Sequence, residues 1–302
     1  MSENNNNVQL IPTEKFFLPI DKLSNRIFDT TLQGFLTKNI IEKKKPQVIT
    51  EVSLSRADLN QFDKLIFCAA CSEYLANNKI FTIRRIYQKI GGSHTLTEPM
   101  KKIISDSVNK LRDTNCTINM TAANEKFHYQ DSKELVFKNY LLPCKSMAAK
   151  VNGRTLEEVF EFLDKPPLLD ISELKRQFIQ CDFRLLKIPK LRNTETVMKL
   201  KFFLLSRVSA IIGSHKPHKK NFVGRNNDGK PIYAKAKTLS KDISLETLFE
   251  QCDLSTATER QRRQARETVE KILEHFQNFG IIKNFEFLKK NGKFHSVKID
   301  WD

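Results

Sequence analysis

The fold of the C-terminal half is decided by TATERQRRQARETVEKILEHFQNFG, residues 256–280, followed by IIKNFEFLKKNGKFHSVKID, residues 281–300. Four apolar residues of the first segment recur at spacings of three and four and predict one buried helix face: Val269, Ile272, Leu273 and Phe276. Thr256 or Thr258 can cap the start of this helix, and Gly280 can end it by taking a positive φ. The segment therefore predicts one long amphipathic helix.

The first two turns of this helix carry a cluster of arginines: Arg260, Arg262, Arg263 and Arg266. Basic residues oppose the helix macrodipole at this end, so they lower local stability. They are expected where a helix N-terminus enters the major groove of DNA, because guanidinium groups match guanine edges and phosphates. The alternative is a solvated charged face on an ordinary helix.

The segment that follows the helix in sequence favours the DNA-binding interpretation. Apolar residues alternate with polar ones on both sides of Asn291-Gly292, and this dipeptide between alternating runs predicts a tight hairpin. Three lysines surround the tip: Lys289, Lys290 and Lys293. With the short helical segment ISLETLFEQC, residues 243–252, the order is helix, arginine-rich helix and basic hairpin. This order predicts a winged helix whose helix and hairpin tip form one DNA-binding surface.

Composition agrees with a polyanion as partner. The chain has 302 residues, a formal net charge of +16 and 40% hydrophobic residues, and the sequence pI is near 9.5. This length favours two domains. The sequence has no apolar run of about 18 residues and no signal peptide, so we expect a cytoplasmic protein without membrane contact.

The first half repeats the C-terminal order and predicts an α+β fold of tandem winged-helix domains joined by a helical connector. The helical segments DLNQFDKLIFCAACSEYLAN, FTIRRIYQKIGG and EPMKKIISDSVNKLRDT precede strand-like CTINM and KELVFKNYLL. The predicted organisation is a flexible tail and basic link (1–50), an N-terminal winged-helix domain (51–150), a connector (151–192) and a C-terminal DNA-reading domain (193–302). The connector is predicted to hold two short helices separated by Pro166-Pro167.

Further basic residues extend the predicted DNA surface. The C-terminal domain contains a lysine-rich, glycine-rich insertion at residues 214–241, which is either a solvated loop or a phosphate-contacting extension. Candidate DNA contacts outside the long helix and its hairpin are Lys219, Lys220, Arg225, Arg84, Arg85, Lys101 and Lys102.

Catalytic and cofactor motifs are not found. There is no phosphate-binding G-x-x-x-x-G-K-[ST] loop, and no H-x-H pair of the kind expected in a nickase. Cys68 and Cys71 form a C-x-x-C within an apolar helix face, without the second pair of a zinc ribbon. We expect no enzyme activity, cofactor or metal site. The open alternative is a magnesium-dependent nuclease that uses Asp164 or Asp170 with Glu173 and Lys175.

The tandem order resembles the iteron-binding Rep family, the replication initiators of theta-replicating bacterial plasmids, over roughly residues 54–301 and without a diagnostic motif. The resemblance implies that the N-terminal winged helix dimerises and touches DNA backbone, and that the C-terminal one reads a repeated site. The reader helix would span residues 258–279, beginning at Thr258, with a wing at Lys289, Lys290 and Lys293. Implied partners are double-stranded DNA, a second copy in a monomer–dimer equilibrium, and host replication proteins. A transcriptional regulator is the alternative within the DNA-binding class.

Overall fold

The computed structural model describes residues 15–19, 27–28, 38–44, 48–56, 58–90, 95–120, 136–151, 154–174, 178–214, 222–225, 231–233 and 239–301. The chain divides into an N-terminal unit, residues 1–183, and a C-terminal unit, residues 184–302. Each unit is described by itself.

The N-terminal unit combines four described helices with nine described strands. The helices are α1 (Gln61–Leu75), α2 (Ile83–Lys89), α3 (Glu98–Asp113) and α4 (Pro167–Leu174). The strands are β1 (Lys15–Pro19), β2 (Lys38–Lys44), β3 (Val48–Leu54), β4 (Ile80–Thr82), β5 (Asn115–Met120), β6 (Val136–Tyr140), β7 (Cys144–Val151), β8 (Arg154–Phe162) and β9 (Phe178–Asp182).

A winged helix forms the centre of this unit. Helix α1, strand β4, helices α2 and α3 and the hairpin β7–β8 follow one another, and the strands are ordered β4-β8-β7. Its core is apolar and fully buried, with members Ile66, Phe67, Phe81, Ile86, Ile104, Val108, Leu111 and Phe160. Buried Asp63 completes the capping box of α1 and accepts hydrogen bonds from Ser107 and Lys110, which joins α1 to α3.

Strands β5 and β6 differ from their predicted role. The sequence placed CTINM and KELVFKNYLL in the wing of the first domain, but both strands belong to a separate four-stranded sheet, β2-β3-β5-β6. The true wing is β7–β8. The prediction was wrong because residues 114–143 are inserted between α3 and its hairpin, where an uninterrupted winged helix has only a turn.

The predicted ranges 1–50 and 151–192 also differ from the structure. Strands β1, β2 and the start of β3 lie in the range predicted as flexible tail and link, and β1 pairs with β9. The first short helix predicted in the connector is strand β8, whose alternating TLEEVFEF pattern places Phe160 and Phe162 in the core. The second is helix α4, which begins at Pro167.

The C-terminal unit contains a second winged helix. Its elements are α5 (Glu195–Ser214), β10 (Phe222–Arg225), β11 (Pro231–Tyr233), β12 (Leu239–Ser244), α6 (Leu245–Gln251), α7 (Glu259–Asn278), β13 (Asn284–Lys290) and β14 (Lys293–Trp301). The hairpin β13–β14 receives β12 on its far side, in the order β12-β14-β13. This matches the sheet order in the N-terminal unit and confirms the tandem winged-helix prediction.

Local sequence explains the main elements of this unit. Thr258 caps α7 in a capping box with Gln261, and Gly280 follows the helix at a φ of 69°. Asn291 and Gly292 turn the hairpin at φ values of 52° and 75°, the left-handed pair that tight hairpins require. The buried face of α7 packs against α5 and carries the predicted residues Val269, Ile272, Leu273 and Phe276.

Within the part of the chain that the structure describes, no helix is both long and apolar enough to cross a membrane.

Candidate nucleic-acid interface

The four arginines of α7 divide between two faces of the helix. Arg262 and Arg266 continue the buried stripe of Val269 and Leu273, because the spacings are four, three and four residues. Arg260 and Arg263 lie beside this stripe on the exposed surface of the helix, and because Arg260, Arg263 and Arg266 follow one another at spacings of three residues, their side chains are neighbours. This spacing was present in the sequence, where the arginines were treated as one cluster.

Arg262 is held against its own unit. Its guanidinium lies 5.8 Å from the ring centre of Phe249 on α6, and its Nη2 donates a hydrogen bond of 2.6 Å to the carbonyl oxygen of Ser255. Its Nε is buried and has no hydrogen-bond partner among the residues that the structure describes. Arg262 therefore braces the turn between α6 and α7, and its side chain is half-buried, unlike the exposed side chains of Arg260 and Arg263.

Arg266 connects the helix to the wing. Its guanidinium carbon lies 5.2 Å from the ring centre of Phe294 on β14, and the Nζ of Lys289 on β13 lies 4.6 Å from the same ring centre. The Arg266 side chain is 18% exposed, and its Nη2 pairs with the carboxylate of Glu259 at 3.1 Å. One aromatic ring thus contacts both a cation of the helix and a cation of the wing.

A β-bulge brings Phe294 to this position. Leu288 is paired with Ser296, whereas the next residue, Lys289, is paired with Phe294, so His295 is the extra residue of β14. The Nδ1 of His295 donates to the carbonyl oxygen of Leu288 at 3.1 Å. The bulge reverses the alternation of β14 and puts Phe294 on the same side of the hairpin as buried Val297.

The solvent-facing side of α7 is divided by charge. Its first two turns carry Arg260 and Arg263, both exposed, and the following turns carry three exposed glutamates: Glu267, Glu270 and Glu274. Arg263 and Glu267 face each other at 3.7 Å as a solvent-exposed pair, which contributes little to stability and can exchange for a phosphate. Lys271 is also exposed among these glutamates, so the positive charge of this side is concentrated in the N-terminal half of the helix but is not confined to it.

The hairpin tip adds further cations. Lys290 and Lys293 are exposed and paired across the turn. With Arg260, Arg263, Arg266 and Lys289 they form what we call the basic face. Thr258 is occupied as the cap of α7: its Oγ1 accepts from the backbone N–H of Gln261 and also lies 3.0 Å from the Gln261 side-chain oxygen. Phe294, which no charge-based argument selects, was missed from the sequence.

Most of the predicted insertion at residues 214–241 lies outside the residues that the structure describes. Lys219 and Lys220 lie outside the described residues, as does the side chain of Arg225, whose backbone belongs to β10. Their role as DNA contacts stays a prediction.

The corresponding region of the N-terminal unit is less basic. Arg84 and Lys102 are exposed, whereas Arg85 pairs with buried Glu73 at 2.9 Å and Lys101 faces Glu98 at 3.8 Å. Between α3 and its wing, the carboxylate of Glu158 on β8 accepts from the Ser105 hydroxyl at 2.5 Å, and Arg112 of α3 donates to the Ser146 hydroxyl of β7 at 2.9 Å. The two winged helices thus share a topology and differ in the charge at the junction of helix and wing.

The carboxylates of the nuclease alternative are occupied by a lysine. The Nζ of Lys165 lies 2.6 Å from Asp170 and 2.5 Å from Glu173, while Asp164 accepts a hydrogen bond from Asn139. An ammonium group therefore sits where a magnesium ion would be held. Among the described residues no cluster of three or more His, Cys, Asp or Glu side chains could hold a metal ion.

The cysteines are core residues. Cys68 and Cys71 lie buried on α1, as their spacing predicted, and burial raises the pKa of Cys68 to about 12 and that of Cys71 well above its ordinary value. Thiols in such surroundings are poor nucleophiles.

Comparison with known proteins gives a structural similarity only. A scan against protein-family models gave no match, and a search of the curated proteins gave none. A crystal structure of selenomethionine derivatives of domains 2 and 3 of RctB is similar with a TM-score of 0.48 at 11% identity, covering 91% of this chain and 94% of that chain. Another structure of RctB domains 2–3 gives 0.49 at 11% identity, over 88% and 91%.

Proposed function

We propose that this protein is a sequence-specific DNA-binding replication initiator of a plasmid or similar mobile element. It binds repeated origin sites through the C-terminal winged helix and does so without catalysis, cofactor or metal. The N-terminal unit contacts DNA backbone and a second copy of the chain in a monomer–dimer equilibrium, and the bound complex recruits host replication proteins.

The observation that carries the proposal is the continuity of the basic face. Arg266 of α7 and Lys289 of the wing share the ring of Phe294, so the arginine-rich end of the helix and the lysine-rich tip lie at one place. In a winged helix the recognition helix enters the major groove with its N-terminal residues, and the wing touches adjacent backbone. The concentration of arginines in the first two turns of α7, ahead of a surface where glutamates predominate, supports insertion by the N-terminal half.

We assign the roles of these cations from their exposed positions on the helix and on the wing. Arg260 and Arg263 are the base readers, because they are exposed on the outer face of the helix. Lys290 and Lys293 are phosphate contacts at the wing tip. The initiator role is supported by the tandem arrangement of two winged helices, which the Rep family also has.

Selection of bound sequences from a random duplex pool tests the DNA-binding part. We expect the wild-type protein to enrich one motif and its affinity to fall steeply with salt, with a slope of about −4.5 in log K against log salt for roughly five phosphate contacts. Arg260→Ala with Arg263→Ala should lose the motif and keep random-DNA binding. Lys290→Ala with Lys293→Ala should weaken all sequences alike and reduce the slope by about 2.

Equal losses on selected and random DNA for both pairs would contradict the division of roles. Retention of wild-type affinity by the variant lacking all four cations would contradict the interface itself.

A replication assay separates an initiator from a transcriptional regulator. A circular DNA that carries the gene, its flanking sequence and a selectable marker, but no other origin, should be maintained in a host cell. The Arg263→Ala variant should abolish maintenance. Binding to the flanking sequence without maintenance would favour the regulator.

A further inference from the structure

Phe294 links the recognition helix to the wing, because its ring contacts Arg266 of the helix and Lys289 of the wing. The residue is 41% exposed, so it lies at the surface beside these cations. Its aromatic neighbour is Phe287, at 6.0 Å between ring centres and near perpendicular. Phe287 fixes the edge of the ring while the face remains available to cations.

The two cations over this ring lie close to each other. Each is about 5 Å from the ring centre, so the guanidinium of Arg266 and the ammonium of Lys289 are within about 10 Å of each other. Cations this close can reach neighbouring phosphates of one DNA strand. Two like charges at this distance repel, and the electron-rich ring face offsets the repulsion.

We propose that Phe294 is a positioning residue for DNA binding, which holds Arg266 and Lys289 so that they contact neighbouring phosphates of one strand between the recognition helix and the wing. The inference rests on the proposed function. Phe294 itself touches no base: it sets the register between the groove-reading helix and the backbone-contacting wing before DNA arrives. The bulge at His295 is what makes this possible, because regular alternation would turn the ring away from α7.

The test compares Phe294→Leu with Phe294→Tyr on the duplex selected above. Leucine keeps an apolar side chain and removes the aromatic face, whereas tyrosine keeps the face. We expect Phe294→Leu to weaken binding about tenfold and to reduce the salt slope by about 1, because the Lys289 contact is no longer held in place. Phe294→Tyr should bind as the wild type does.

Phe279→Leu is the matched control. Phe279 is similarly exposed at 40%, and its ring also lies beside a cation, the guanidinium of Arg184 at 5.9 Å. It stands about 20 Å from Arg266 along α7. Its loss should leave both affinity and salt slope unchanged. Fluorescence of Trp301, the chain's one tryptophan, checks that each variant is folded.

Single methylphosphonate substitutions, each of which removes the charge of one phosphate, locate the contacts. In the wild-type complex two or three adjacent positions on one strand should each lower affinity, and in Phe294→Leu the sensitivity should disappear at the position that Lys289 contacts. Lys289→Met, which keeps the side-chain stem, should remove the sensitivity at one of those positions and should add little to Phe294→Leu.

The outcomes separate the two proposals. Absence of duplex binding by the wild-type protein refutes the proposed function. Normal binding by the wild type, together with an unchanged salt slope and methylphosphonate pattern in Phe294→Leu, refutes the positioning role alone. Should Phe294→Leu not fold, full additivity of Lys289→Met and Arg266→Gln in affinity gives the same refutation, because coupled contacts are non-additive.

Discussion

Replacing Arg262 by alanine should destabilise the C-terminal unit rather than abolish sequence preference. The side chain contributes one charge-assisted hydrogen bond to the Ser255 carbonyl and one cation–π contact with Phe249. Removal of such a hydrogen bond costs about 1.5 to 3 kcal/mol, and of the ring contact about 0.5 to 1 kcal/mol. Relief of positive charge at a helix N-terminus returns about 0.3 to 1 kcal/mol. Since the hydrogen bond is partly solvated, we expect a net loss of about 1.5 kcal/mol in the free energy of unfolding.

Urea unfolding followed by Trp301 fluorescence measures this loss. Trp301 lies on β14 and is 3% exposed, so its emission reports the C-terminal unit. Arg263→Ala is the control, because Arg263 is exposed and its only described pair, with Glu267, is solvent-exposed; its unfolding free energy should stay within about 0.5 kcal/mol of the wild type.

The two variants should behave in the opposite way on DNA. Arg263→Ala should lose about 1 to 3 kcal/mol of discrimination between the selected and a random duplex, as expected for one base contact. Arg262→Ala should keep the wild-type ratio under conditions where it is folded. Suppose that Arg262→Ala keeps wild-type stability but no longer discriminates between the selected and a random duplex. That result would refute the bracing role and indicate that Arg262 contacts a base.

Three further predictions concern the other charged groups. Burial lowers the pKa of Lys201 to about 8 in the folded state, below its unfolded value; the unfolded chain therefore binds more protons, and stability rises with pH. Relative to Lys201→Met, the wild-type protein should gain about 2 kcal/mol between about pH 7.5 and pH 10, measured by urea unfolding with Trp301 fluorescence; a pH-independent difference would contradict this. Glu73→Gln should cost the N-terminal unit about 2 to 3 kcal/mol, because buried Glu73 pairs with Arg85 and Lys89; amide hydrogen exchange of α1 should show the loss, and unchanged protection would rule it out. No magnesium-dependent nicking of supercoiled DNA is expected, since Lys165 occupies the carboxylates; nicking that disappears in Glu173→Ala would establish the nuclease instead.

The C-terminal winged helix was predictable because its determinants are local. The capping threonine, the 3.6-residue periodicity of α7 and the Asn-Gly tip each fix a backbone geometry over a few residues. The first wing was not predictable in this way. Residues 114–143 contain two strands of correct alternation and adequate apolar content, and nothing local distinguishes strands of a wing from strands of a separate sheet. Pairing partners distant in sequence decide that question.

The candidate site was predicted in outline and differs in detail. Charge alone located the arginine cluster and the lysine tip, but it treated Arg262 as equivalent to Arg263, although their positions on the helix are about 100° apart. The bulge at His295 puts Phe294 out of phase with Val297 and Ile299, but the spacing of three residues in the sequence does not by itself show which face of the hairpin the ring takes. For that reason the strand pattern did not identify Phe294 as the link between helix and wing.

The inserted sheet has a consequence for the order in which the two units acquire structure. Five residues, 279–283, separate α7 from β13, whereas thirty residues, 114–143, separate α3 from β7. Loop closure costs more entropy over the longer span, and sheet pairing of distant segments slows folding. Although the N-terminal unit leaves the ribosome first, we expect it to complete its folding later. In a newly made chain the C-terminal DNA-reading domain should therefore be folded before the N-terminal unit is.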